Sequence, residues 1–151
     1  MFRGVNSLNL DAKGRMAMPT RYRQHLSDMC GGQMVITVDN GDRCLLLYPL
    51  QEWEVVERKL QQLPSFNKQA RRLQRLLIGH ATEVEMDGVG RLLVPPPLRE
   101  FAGLDKRTVL IGQSNKFELW DEALWNERCS AWLAEGDELG ELPEEMETMS
   151  L

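Results

Sequence analysis

Asp11-Ala12-Lys13-Gly14-Arg15 and Asp87-Gly88-Val89-Gly90-Arg91 are one motif written twice. In each copy an apolar, strand-like segment, a proline and a short amphipathic stretch follow. Laying the second copy on the first at an offset of 76 pairs Pro19 with Pro95 and Arg23 with Arg99. After two short gaps the offset becomes 72, which pairs Tyr48 with Trp120 and Trp53 with Trp125. The chain is a duplication. A repeat unit that cannot bury its apolar face alone needs a partner, and here the partner is covalently attached. The two turns are therefore expected in related positions about a pseudo-two-fold axis.

Working outward from the first motif, Asn9-Leu10 enters it and Met16-Ala17-Met18 leaves it. That reads as strand, tight turn, strand, with Gly14 free to take the positive φ such turns demand and Asp11 able to accept from backbone donors inside the turn. Pro19 suits the first turn of a helix running to about Leu26, with Tyr22 and Leu26 on one face. Met34 to Val38 reads as a strand, Asp39 to Asp42 as a turn, and Cys44 to Tyr48 as the return strand. The unit is then hairpin, helix, hairpin. The second unit repeats the order with strands at Ala81 to Met86, Leu92 to Val94, Thr108 to Ile111 and Lys116 to Trp120, and a short helix opened by Pro95-Pro96-Pro97 and stopping near Gly103.

Between the units, Trp53, Val56, Leu60 and Leu63 keep helical spacing, Pro64-Ser65 breaks it, and Phe66, Ala70, Leu73 and Leu77 resume it until Gly79. This stripe reads as core rather than as a binding groove. Leu124, Trp125 and Trp132 suggest a last helix, and the acid-rich stretch from 136 to 151 is expected to be mobile. The fold class is α+β, mainly β. The expected divisions are a first unit at 5–52, a helical bridge at 53–80, a second unit at 81–124, and a terminal helix with acidic tail at 125–151.

With 151 residues and 42% hydrophobic content, the chain can build one core or two small ones sharing an interface. No apolar run approaches the ~18 residues of a membrane span, and Met1 to Asn6 leads into polar residues rather than a signal-peptide core. Cytoplasm is the expected compartment, with no membrane partner. Cys30, Cys44 and Cys129 match neither a disulfide framework nor a zinc site and read as buried or incidental thiols. The net charge of −5 is unevenly spread. Residues 1–25 carry Arg3, Lys13, Arg15, Arg21 and Arg23 against Asp11 alone, whereas residues 117–151 hold eleven acidic side chains against Arg128. The average therefore says little about what the first surface attracts.

His25 and His80 stand alone, so no metal is expected, and Gly88-Val89-Gly90 lacks both the third glycine of a dinucleotide fingerprint and a Walker lysine. No cofactor or small-molecule substrate is implied. Asp11 and Asp87 could form a proton-sharing carboxylate pair of the aspartic-protease kind, but each has its own arginine four residues on, which favours the ionised carboxylate and keeps it local. No catalytic residue is assigned. The stronger reading lies in the other half of the motif: an arginine at the exit of a turn fixed by its aspartate can fork onto phosphate oxygens or onto the acceptor pair of guanine. Lys13, Arg3, Arg21 and Arg23 would widen Arg15 into a positive surface. In the second copy Asp87 and Arg91 survive while Val89 replaces Lys13, so the first unit is the stronger candidate. Aromatic residues do not interleave with the basic ones, which favours a duplex over a single strand.

The paired Asp-x-x-x-Arg turns, the start Asn9-Leu10-Asp11-Ala12-Lys13-Gly14-Arg15, the strand end Leu45-Leu46-Leu47-Tyr48-Pro49, Leu76-Leu77-Ile78-Gly79-His80-Ala81 and Asn115-Lys116-Phe117-Glu118-Leu119-Trp120 together resemble the MraZ family of bacterial transcriptional regulators. The likeness extends to about Trp125. It implies two SpoVT-AbrB domains of the swapped-hairpin kind, in which strands interdigitate into a small β-barrel. It also implies a ring-like homo-oligomer, nucleoid-associated, that represses its own gene and the division and cell-wall gene cluster by contacting promoter repeats in double-stranded DNA. In that family the Asp-x-x-x-Arg turn touches DNA, which gives that role to Asp11 and Arg15 first and to Asp87 and Arg91 second. An alternative of another class is an antitoxin-like module whose acidic tail holds a basic partner protein.

Overall fold

The computed structural model describes residues 1–135; the expectation of a mobile end at 136–151 lies outside the described residues. Eight strands and five α-helices follow in the order β1 (Phe2–Asn9), β2 (Arg15–Ala17), α1 (Thr20–Cys30), β3 (Gln33–Val38), β4 (Leu45–Pro49), α2 (Leu50–Gln61), α3 (Lys68–Leu73), β5 (Thr82–Glu85), β6 (Arg91–Leu93), α4 (Pro96–Phe101), β7 (Arg107–Ser114), β8 (Phe117–Asp121) and α5 (Glu122–Glu135). A π-helical turn, Gln74–Ile78, continues α3. The architecture is α+β and mainly β.

The expected hairpins at the two motif turns do not form as such. β1 leaves the first turn to pair with β7, with Phe2 opposite Ser114 and Asn9 opposite Arg107, while β2 pairs with β6 in a separate two-stranded ribbon. The second unit mirrors this, since β5 pairs with β3 of the first unit. Each unit's leading strand thus completes the other unit's closing hairpin, giving one six-stranded sheet in the order β1-β7-β8-β4-β3-β5. The physical reason is burial. A turn can join two strands that diverge when each finds a longer or better-packed edge elsewhere, and local turn chemistry does not say which edge.

The register locates the pseudo-two-fold axis. Met16 faces Leu92 at the centre of the ribbon, and Leu46 faces Glu118 at the centre of the β4–β8 pairing; both pairs are equivalents under the offsets of 76 and 72. Strand alternation then sorts the apolar residues onto two faces. On the inner face Met34, Ile36, Val38, Leu45, Leu47, Leu110, Phe117 and Leu119 form the main core with Met16 and Leu92 of the ribbon, Tyr22 and Leu26 of α1, and Leu98 of α4. On the outer face Val35, Leu46 and Tyr48 pack under Trp53 and Leu60 of α2, and Cys44, Val109, Ile111 and Trp120 pack under Leu124 and Trp125 of α5.

Helix limits differ from expectation where caps decide them. α1 runs past Leu26 to Cys30 because the left-handed Gly31 closes it, its N–H donating to the Ser27 carbonyl at 2.9 Å and that of Gly32 to the Leu26 carbonyl at 3.3 Å. α3 starts where the Asn67 side chain accepts from the Ala70 N–H at 3.0 Å. The bridge stripe is core as expected, with one correction. Phe66 is 90% exposed, because it sits in the non-helical link between α2 and α3 rather than on a helical face.

Candidate nucleic-acid interface

Each motif turn is closed by its own backbone and then locked by its aspartate. In the first, the Asp11 N–H donates to the Arg15 carbonyl and the Gly14 N–H to the Asp11 carbonyl, both at 2.9 Å. Asp11 Oδ1 accepts from the Lys13 and Arg15 N–H groups at 2.9 Å each, and its Oδ2 accepts from Arg15 Nε at 2.8 Å. The second turn repeats every one of these bonds at Asp87, Val89, Gly90 and Arg91 to within about 0.1 Å. Gly14 and Gly90 both take φ of 82°, a conformation that glycine adopts without the steric penalty of a Cβ.

Charge follows from this geometry. The backbone N–H of Arg15, more than any other group, holds the Asp11 carboxyl below its ordinary 3.8; desolvation opposes it, and the Arg15 side chain and the Lys13 N–H restore the balance downward. Asp87 is lowered in the same way, first by the Arg91 N–H. A proton-sharing dyad requires one carboxyl raised, so these two aspartates are built as separate anionic locks.

The locked arginines share one face. In the ribbon Met16 and Leu92 point inward and are buried, so Arg15, Ala17, Arg91 and Leu93 point outward. Arg15 stands opposite Leu93 and Arg91 opposite Ala17, which sets the two arginines on a diagonal of the ribbon about 7–8 Å apart. Only Nε of each is tied to its aspartate; among the described residues neither guanidinium has a hydrogen bond at its Nη atoms. Their side chains are 29% and 38% exposed. Arg15 is not tucked into the core.

The remaining sequence candidates separate. Lys13 is exposed at the tip of the first turn, where the second turn carries exposed Val89. Arg23 does not widen the first turn. Its Nε donates to the Met18 carbonyl at 2.7 Å and its guanidinium lies against Gly90, so it serves the second turn. Arg99 is its counterpart, donating to the Val94 carbonyl at 3.0 Å and lying against Gly14. The cross-over follows from the ribbon, in which the Met18 N–H donates to the Gly90 carbonyl and the Val94 N–H to the Gly14 carbonyl, bringing each helix entry to the other unit's turn. Arg3 and Arg21 lie elsewhere: Arg21 packs on Gly4 and donates to Asn6 Oδ1 near the start of β1, roughly 20 Å along the strand from Asp11.

Sequence reasoning missed Arg99 and Leu93 as members of this face. Pairing Arg23 with Arg99 at the repeat offset was the available signal, but only strand exchange turns it into a location. Arg99 and Lys106 also line a cleft of about 500 Å³ beside Asp11 and Gly14. His25 packs edge-on against Phe2, and His80 Nδ1 lies 2.8 Å from the Leu76 carbonyl. Among the described residues no group of three His, Cys, Asp or Glu side chains could hold a metal ion, and no helix is long and apolar enough to cross a membrane.

A family model described as "MraZ protein, putative antitoxin-like" matches residues 1–76 and again 77–136. The chain belongs to the MraZ family. The double match falls on the two units that share the ribbon. Proteins named transcriptional regulator MraZ are similar over their whole length: that of Halorhodospira halophila is 61% identical, that of Thioalkalivibrio sulfidiphilus 60% and that of Pseudomonas aeruginosa 56%, each aligned over 100% of both chains.

Proposed function

We propose that this member of the MraZ family is a DNA-binding transcriptional regulator whose duplex-facing surface is the exposed side of the β2–β6 ribbon with its two Asp-x-x-x-Arg turns. The observation that carries the reading is the pair of aspartate-locked arginines, Arg15 and Arg91, on one solvent-facing side, with their Nη atoms unengaged among the described residues. A two-stranded ribbon fits the width of a major groove, and a guanidinium held by its Nε edge keeps the Nη edge for phosphate or for guanine O6 and N7. Lys13, Arg23 and Arg99 add positive charge around the turns, and exposed Leu93 offers an apolar contact of the kind a thymine methyl accepts. Arg3 and Arg21 contribute to long-range attraction from the other end of β1.

The relatives' shared name supports regulation rather than catalysis. In this reading the target is promoter repeats upstream of the chain's own gene and the division and cell-wall cluster, the effect is repression, and the site of action is the nucleoid. In the same reading the chain is two SpoVT-AbrB domains of the swapped-hairpin kind, at 5–52 and 81–124, joined by the bridge at 53–80, a reading that the exchange of β1 and β5 between the units supports. Assembly into a homo-oligomeric ring would let several turns engage repeated boxes on one duplex and gain effective concentration that one protomer lacks.

Gel-shift titration with DNA upstream of the chain's own gene tests the assignment. Arg15→Ala is expected to weaken operator binding by more than about tenfold, to lower the slope of log affinity against log salt, and to leave the assembly state unchanged. A variant that shifts the operator at the wild-type concentration overturns it. The family's antitoxin-like description favours a second reading, in which the acidic end holds a basic protein. Ending the chain after Glu135 separates the two, since partner capture is then lost while operator binding persists.

A further inference from the structure

The bridge carries a second cationic surface that the turns do not use. Between Glu57 and Glu83 the sequence has Arg58, Lys59, Lys68, Arg71, Arg72 and Arg75 and no acidic residue. All six are exposed, and none has an ion pair or a side-chain hydrogen bond among the described residues. Phe66, beside them, is 90% exposed. This surface lies over the outer face of the six-stranded sheet, where Leu60, Leu73 and Leu77 are packed, while the ribbon and its turns cover the inner face. A duplex seated on the turns of one protomer is therefore separated from the bridge by the whole sheet.

We infer that the acidic end of the same chain, residues 136–151, docks on this surface. Three observations point to that occupant. First, α5 ends at Glu135 on the outer face of the sheet, the face that carries the bridge. Second, α5 is the repeat equivalent of α2, with Trp125 matching Trp53, so in chain order the stretch after α5 is the second unit's counterpart of the link and α3. The first unit has Lys68, Arg71, Arg72 and Arg75 there, and the second has Asp137, Glu138, Glu141, Glu144, Glu145 and Glu147 with no basic residue. Third, the chain beyond Glu135 is long: sixteen residues span up to about 50 Å when extended, more than twice the length of about 21 Å that α5 itself covers. Leu139, Leu142, Met146 and Met149 are interleaved with the acids and supply apolar partners for Phe66. Tethering raises the effective concentration of the acidic segment to the millimolar range, enough for a contact built on many weak, salt-screened attractions. Such docking leaves the turns as the open cationic face. The contact stands independently of the DNA reading; only this consequence rests on it.

Carbodiimide coupling of the full chain without DNA tests the contact, because it joins a lysine Nζ to a carboxylate that touches it. At low salt Lys59 and Lys68 are expected to link to carboxylates within 137–147 of the same chain. The links should vanish near ~0.5 M salt and fall at least ~fivefold in the Arg71→Glu, Arg72→Glu, Arg75→Glu variant. Hydrogen exchange through 67–79 should quicken both when the chain ends after Glu135 and when the six tail acids are changed to their amides. Links that are absent or indifferent to salt and to charge reversal overturn the inference, and so do links found only between isotopically distinct chains. It also falls if reversing the three arginines weakens binding of a duplex without operator repeats equally in the full and shortened chains, which gives the face to DNA. None of these outcomes depends on Arg15, so a failed operator assay and a failed docking remain distinguishable.

Discussion

At the residue scale, the turns depend on two side-chain absences and two carboxylates. A Cβ built on Gly14 would lie 2.4 Å from the Arg99 guanidinium, at a φ that L-residues rarely adopt, whereas Gly103 has positive φ but nothing within 4 Å. Gly103→Ala is expected to cost about 1–2 kcal/mol from backbone strain alone. Gly14→Ala should cost more, up to about 3 kcal/mol, because Arg99 must also leave the Val94 carbonyl. Urea midpoints of the two variants check the order. The carboxylates give a pH dependence with a fixed sign. Asp11 and Asp87 are held below 3.8 when folded, so their contribution is fully present above about pH 4 and is lost as pH falls through the lowered values. The stability gap between the wild type and an Asp11→Asn, Asp87→Asn variant should stay level from pH 7 to 5 and close below about pH 4. A gap that widens on acidification contradicts this mechanism.

At the scale of elements, the sequence revealed more of the strands' existence than of their pairing. The eight strands follow from alternation and turn residues, β1 only from its Asn9 end, and β7 extends beyond its apolar centre because Phe2 to Asn9 gives it a full-length partner. Why β1 chooses β7 is set by the shared inner face, where Phe2 packs on Tyr22 and Phe117 at ring distances of 5.7 and 4.4 Å. No local pattern around residue 2 announces that contact. The bridge shows the same limit from the other side. Trp53 and Phe66 look alike in an apolar stripe, yet Trp53 is 4% exposed, stacks near Tyr48 at 5.6 Å and donates to Glu57 Oε2 at 2.7 Å, while Phe66 lies in the link. Trp53→Ala should therefore destabilise by about 3–5 kcal/mol. Phe66→Ala should stay within about 0.5 kcal/mol of wild type in thermal melts at high salt, where docked charges are screened.

At the scale of the whole molecule, the duplication was legible because paired residues recur at fixed offsets. That the two copies cannot be separated was not, since it depends on strand exchange. The first unit contributes β3 and β4 but leaves β1 and β2 without partners when β6 and β7 are removed, and β3 loses β5. A fragment of residues 1–79 would expose Met16, which is fully buried between ribbon and sheet, and Phe2, which is 2% exposed, with burial worth about 1.5–3 kcal/mol for each such side chain. Folding as a monomer is then disfavoured, while a second copy of the fragment can supply the missing partners, because β2 meets its own equivalent at the ribbon's centre and β1 meets the equivalent of β3. The fragment is expected to fold only as a dimer, with Met16 facing Met16 and a melting temperature that rises with protein concentration. Circular dichroism melts over a ~100-fold concentration range, with sedimentation on the same samples, decide it. A folded monomeric fragment with a concentration-independent melt would mean that each unit holds a core of its own and that the crossed ribbon joins two finished domains instead of completing both.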